Sequence, residues 1–168
     1  LARMDDPALS GGALLDIGIY PFTFASACFG DDVEHFESRA VFSPSGVDQQ
    51  SMTELVYKDG RRAHLFATDL TPTDRTGTIC GTEGYAVVEN INNYQSIAVY
   101  SEDNRLVEKI PTPPQISGYE YQFEAAMAAI QSGKTECAEM PHRRILGMME
   151  LMDAVRHSWG MYHPTEER

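Results

Sequence analysis

Apolar positions along the chain change their period twice. From Gly12 to Phe29, Leu15, Ile19, Phe22 and Ala25 recur at the three- and four-residue spacing of a helix, and Gly30 stands where a helix end favours glycine. The spacing predicts a helix over 12–29, bent by Pro21. From Val33 to Ile110, short runs rich in β-branched and aromatic residues take over. They are punctuated by Asp59-Gly60, Thr71-Pro72-Thr73, Gly81 to Gly84 and Asp103-Asn104, which predicts about six strands joined mainly by tight turns. In the first run Phe36, Ala40 and Phe42 share a face with Glu34 and Ser38, while Val33, His35, Glu37, Arg39 and Val41 share the other. Neither face is a clean core face. A sheet covered by helices on one side and left open on the other produces this mixture.

Helical spacing returns after a stiff connector, Pro111 to Pro114. Tyr119, Phe123, Met127 and Ile130 form one stripe that ends at Gly133. Ile145, Met149, Met152, Val155 and Trp159 form a second, with Pro141 at its first turn and Gly160 at its close. The order helix, meander, two helices predicts an α+β fold, with an open-faced, largely antiparallel sheet and helices packed on one face. With no repeat or long linker, residues 1–168 are expected to form a single domain.

Composition narrows the partners. At 168 residues and 42% hydrophobic, the chain carries enough apolar surface for a core. A formal net charge of -12 argues against nucleic acid and anionic membrane surfaces. Cys28, Cys80 and Cys137 are odd in number and widely spaced, which suggests neither a disulfide framework nor a zinc site, and a cytoplasmic location is expected. Ala13 to Phe29, the longest apolar run, is interrupted by Asp16 and Pro21 and reads as too short and polar to span a bilayer. The five histidines lack metal-ligand spacing, so no metal is expected. The chain opens with Leu1-Ala2-Arg3 and reaches its richest motif within about a dozen residues, as if it were a piece of something longer.

That motif runs from Gly11 to Pro21. Asp16 and Tyr20 lie four residues apart, about one helical turn, so a carboxylate and a phenol point the same way. A phenol can exchange a proton with a substrate hydroxyl while a carboxylate orients either partner. A free phenol titrates near pH 10, and a neighbouring carboxylate pushes it higher, so work near neutral pH calls for a nearby cation. Arg3 is the nearest basic residue in sequence, and no lysine precedes Lys58. A purely structural alternative has Asp16 bonding to backbone near the glycine pair and Tyr20 half-buried. Gly11-Gly12 suits a close backbone approach, or simply the end of a loop. No dinucleotide fingerprint or P-loop is present, and Gly81-Thr82-Glu83-Gly84 reads as a hairpin turn.

The segment Asp6-Pro7-Ala8-Leu9-Ser10-Gly11-Gly12-Ala13-Leu14-Leu15-Asp16-Ile17-Gly18-Ile19-Tyr20-Pro21 resembles the signature that opens the C-terminal domain of the Gfo/Idh/MocA oxidoreductases. Cys80-Gly81-Thr82-Glu83-Gly84 resembles that family's strand-turn-strand element. Met152-Asp153-Ala154-Val155-Arg156, with Gly160, Tyr162 and Pro164, resembles its terminal helix and tail. The resemblance implies an open-sheet domain for substrate binding and oligomerisation, whose N-terminal Rossmann partner, the binder of NADP or NAD with NADP favoured, is absent here. No cofactor is therefore expected on this chain. It places the family's motif acid at Asp16 and its acid-base position at Tyr20, with Gly12 beside them at the substrate. Many members carry histidine at the latter position. Tyrosine points to the branch that resembles glucose–fructose oxidoreductase and dimeric dihydrodiol dehydrogenase, where a lysine of a Glu-Lys-Pro segment is the partner. No such segment occurs in this sequence, so that cation is expected in the other half.

The expected partners are the chain's own Rossmann domain, a second copy on the open sheet face and a small polyhydroxylated substrate: sugar, polyol, inositol or dihydrodiol. A non-enzymatic module that pairs through its open sheet is the alternative. A carboxylate-dependent hydrolase lacks a paired acid to support it.

Overall fold

The computed structural model describes residues 3–164 and 166. Among the described residues, three α-helices accompany seven strands in two antiparallel sheets, so the class is α+β with open antiparallel sheets, as the periodicity predicts. The strands number seven rather than about six, and they divide three and four. The chain separates into two compact units, residues 1–73 with 146–168, and residues 74–145.

In the first unit, a 3-10 turn at Pro7–Leu9 leads to a π turn at Leu14–Gly18, which runs directly into α1, Ile19–Phe29. The predicted helix is thus helical, but its first turn is wound wider than α. Pro21 supplies a reason, because it offers no N–H to the carbonyl of Ile17 and its ring crowds that carbonyl in α geometry. A π turn just ahead of the proline removes the conflict. Gly30, at φ 82°, ends α1 as expected, its N–H bonded to the Ser26 carbonyl. By length and composition alone Pro7–Phe29 could cross a bilayer, against the expectation of too short a run, but Ser10 (φ 51°) and Gly12 (φ 125°) interrupt its helical winding. Here Leu14, Gly18, Phe22 and Ala25 are buried instead within the unit.

Strands β1 (Val33–Phe42), β2 (Asp48–Tyr57) and β3 (Arg62–Thr68) pair in that order. Gly60, at φ 87°, makes the turn between β2 and β3. Ser51, Thr53, Leu55 and Tyr57 of β2 and Leu65 and Ala67 of β3 face the core. On the opposite face, Met52 opposes Arg39 and Phe66, and Glu54 opposes Glu37 and His64. No residue of β1 is buried, which agrees with its mixed pattern.

The last helix, α3 (His142–Ser158), buries Met148, Met152, Val155 and Arg156. The predicted stripe holds at Met152 and Val155, but Ile145 and Met149 are exposed, so the buried face is rotated toward Met148. Thr23 Oγ1 of α1 contacts Met148 Sδ at 3.3 Å, and Phe42 meets Trp159 edge to face at 6.2 Å. Arg156, 2% exposed, is a buried charge that needs answering. It donates to Asp153, to the Met161 carbonyl and, through both terminal nitrogens, to Glu166. Glu166 also accepts from the His163 N–H at 2.8 Å, so the tail folds back over the end of α3.

The Arg156 guanidinium holds the Glu166 carboxyl at about 2, below its ordinary 4.5. A depressed native value means stabilisation that is complete above 4.5 and lost as pH falls through about 2. Glu166→Gln should therefore lower Tm by a few degrees at pH 7. In an acid series the gap to the parent should close between the two values; a gap constant down to pH 2 would rule out this ion pair as its source.

In the second unit, β4 (Gly77–Gly81), β5 (Gly84–Glu89), β6 (Ser96–Ser101) and β7 (Leu106–Pro111) form a meander. Gly81 pairs with Gly84 across the β4–β5 turn, so this glycine cluster is the expected hairpin. Ahead of helix α2 (Glu120–Gln131), the Glu120 carboxylate accepts from the Ser117 N–H and hydroxyl and from the Ile116 N–H. Its apolar stripe forms where predicted, but Phe123, Met127 and Ile130 are exposed. Val88 is the only hydrophobic residue described in this unit that is fully buried.

Candidate active site

Gly11 to Tyr20 is shaped by what each glycine allows to come close. A side chain on Gly11 would strike the carbonyls of Arg3 and Met4, so only glycine lets the N-terminal strand of chain cross there. That crossing brings the Arg3 guanidinium onto the Asp16 carboxylate. The sequence placed no cation beside the motif, and the structure supplies one for Asp16 from thirteen residues upstream. Both side chains are about half exposed, so the pair orients Asp16 more than it stabilises the fold.

Gly12 has φ 125°, a conformation that favours glycine, and the space a Cβ would take is filled by the Asp48 carboxylate, with Met161 Cε at van der Waals distance. The close approach is therefore to the protein's own groups, and Gly12 itself is buried. Asp48 is 1% exposed. Its Oδ2 accepts the Leu14 N–H at 2.7 Å, and the Ala13 backbone also bonds to it. Burial pushes its carboxyl above the usual carboxylate range, and these backbone hydrogen bonds oppose that push. Sequence reasoning missed this residue. Its one signal was a lone acid at the start of a strand, just after Gly46-Val47.

Asp16 and Tyr20 stand on the solvent-facing side of the same helical run, with the Asp16 side chain 44% and Tyr20 38% exposed. Ala13, Leu14 and Gly18 on the other side are buried. Carboxylate and phenol are thus each open to solvent on this run. A separate concavity of about 770 Å³ over the sheet is lined by Arg39, Met52, Glu54 and His64 among others; neither Asp16 nor Tyr20 lines it.

A helix N-terminus is the usual cradle for a dinucleotide's phosphates. Here the Leu14 N–H at the start of the motif helix is already taken by the buried Asp48 carboxyl, a poor neighbour for a pyrophosphate. Among the described residues, no group of three His, Cys, Asp or Glu side chains could hold a metal ion.

The family model described as the GFO/IDH/MocA C-terminal domain matches residues 2–87, and so covers the motif, β1–β3 and the β4–β5 hairpin. The chain belongs to the GFO/IDH/MocA family. It is 28% identical over 161 residues to the scyllo-inositol 2-dehydrogenase (NADP(+)) of Bacillus subtilis (strain 168), covering 96% of this chain and 48% of that protein. The trans-1,2-dihydrobenzene-1,2-diol dehydrogenase of Danio rerio is 26% identical over 166 residues, covering 95% and 50%. A variant of a 3-ketoreductase from Actinomadura kijaniata, solved in complex with TDP-benzene and NADP, superposes with a TM-score of 0.74. That match is 25% identical and covers 88% of this chain and 47% of that one. The chain spans about half the length of the curated relatives it matches, and it is a C-terminal domain of this oxidoreductase family.

Proposed function

We propose that this chain is the substrate and proton-transfer half of an NADP-dependent oxidoreductase, cytoplasmic and acting on a hydroxyl or carbonyl of a small polyhydroxylated molecule. The observation that carries it is the Asp16–Tyr20 pair, held on the open side of the motif helix of a GFO/IDH/MocA C-terminal domain. Tyr20 gives its phenolic proton to a carbonyl oxygen in reduction, or takes a hydroxyl proton in oxidation. Asp16, fixed by Arg3, accepts a hydrogen bond from a neighbouring substrate hydroxyl and so sets which oxygen meets Tyr20. Gly12 serves the same site from below. The dinucleotide is assigned to the half of the relatives' length that this chain does not span, as is the lysine beside Tyr20, and it supplies the redox chemistry there. NADP is preferred to NAD on the printed names of the relatives. The test is NADP-dependent turnover by the longer protein, with scyllo-inositol and a trans-dihydrodiol as probe substrates. Nucleotide binding by the 168-residue chain alone would contradict this division of labour.

Exposed apolar surface supports a second element of the reading, association through the sheets. Met52 is 62% and Phe66 44% exposed, and they are cross-strand neighbours on the open face of the first unit; Val41 beside them is 51% exposed. A patch of this kind is usually covered by a partner. Light scattering at micromolar concentration should therefore give about twice 18.7 kDa. A mass of one chain would remove the dimer.

A further inference from the structure

We propose that Asp48 is the positioning residue of this site: its buried carboxylate clamps the first turn of the motif helix and thereby sets where Asp16 and Tyr20 stand. The consequence for turnover rests on the function proposed above; the clamp itself does not.

Burying a carboxylate is costly unless its charge is answered. The groups that answer Asp48 are backbone N–H groups, including those of Ala13 and Leu14, at the positive end of the motif helix. Gly12 is shaped to let the acid in, since any side chain there would occupy its place, and Met161 closes over the same spot. Met161 is itself buried, and its carbonyl is held by Arg156. Strand and glycine thus meet at one carboxylate, which lies outside the motif in sequence, and Met161 packs near Gly12.

The π turn explains why a clamp is needed there. Leu14–Gly18 closes its hydrogen bonds over five residues rather than the four of an α-helix, a rarer geometry. If the turn relaxed to α-helical winding, Asp16 and Tyr20 would keep one face but the direction of Asp16 relative to Tyr20 would shift by a fraction of a turn. Pro21 fixes the C-terminal side by denying Ile17 its α-helical bond. Asp48 fixes the N-terminal side by holding Leu14 and Ala13. Asp16 lies between the two anchors, and Tyr20 directly precedes the second.

Hydrogen exchange on the 168-residue chain tests the clamp without relying on activity. In Asp48→Ala, amides of residues 13–18 should exchange at least about tenfold faster, while those of β2 and β3 stay within about twofold. Asp48→Asn keeps one acceptor for Leu14 and should fall between the two, and it serves if the alanine variant does not fold. Unchanged exchange over residues 13–18 in a folded variant overturns the proposal. In the longer protein, Asp48→Ala should lower kcat by about 100-fold, the cost of a misplacement near 1 Å, with NADP affinity unchanged. Partial recovery in Asp48→Asn is also expected. A loss of kcat that follows Tm alone and vanishes on cooling marks a merely structural role and also overturns it. If the longer protein shows no NADP-dependent turnover, the proposed function fails, yet the exchange data still decide the clamp.

Discussion

Tyr20→Phe in the longer protein should lower turnover by about 10²–10⁴-fold while leaving NADP affinity unchanged within about twofold. The magnitude is that of removing a general acid-base group from a reaction that needs one. Phenylalanine keeps the ring, its packing and its helix preference, and deletes the one oxygen able to exchange a proton. Stability should hardly move, because Tyr20 is 38% exposed and the phenol faces outward. Full turnover in the variant would show that Tyr20 is only a half-exposed aromatic on a helix. A comparable loss of NADP affinity would instead make it a nucleotide contact. Asp16→Asn is the milder companion. It keeps a hydrogen-bond acceptor, loses the attraction to Arg3, and should raise the substrate KM more than it lowers kcat.

Gly12→Ala should be the most damaging small substitution in the chain. Alanine at φ 125° is strained wherever it stands, and here its methyl group would also overlap the buried Asp48 carboxylate. Relief requires moving the acid off Leu14 and Ala13, which leaves a buried charge and free N–H groups without partners. The combined cost should be about 3 kcal/mol or more. For a chain of this size that is a fall in Tm of about 6–12 °C, measurable by thermal denaturation. A change of less than about 2 °C would mean that Asp48 is not held against Gly12 in solution. Gly30→Ala is the control. It too has a positive φ, at 82°, but its Cβ would meet open space, so only the backbone strain should appear.

Much of the fold was legible because its signals are local. Gly60 and Gly84 stand at positive φ, which favours glycine, and the turns lie where those residues stand. Asp16 and Tyr20 lie four residues apart on one helical run, and each is open to solvent there. The missed features have causes that local pattern does not carry. The break between the two ladders falls at Thr71-Pro72-Thr73, which reads like any other turn. On α3 nearly every face between Ile145 and Met152 offers an apolar side chain, so periodicity gives a helix without its rotation, and Met148 rather than Met149 goes inside. Arg156 is buried because Glu166, ten residues further on, folds back to meet it. Asp48 lies 34 residues from the Leu14 N–H that it accepts, and a single acid ahead of a strand has no period at all.

The pH dependence of kcat/KM, recorded for the longer protein and its Tyr20→Phe variant, is the most direct measurement of proton transfer by Tyr20. The parent should show a limb that disappears in the variant, leaving a low and flat residual rate. The same limb in both proteins would assign the proton to another group and contradict the role given to Tyr20.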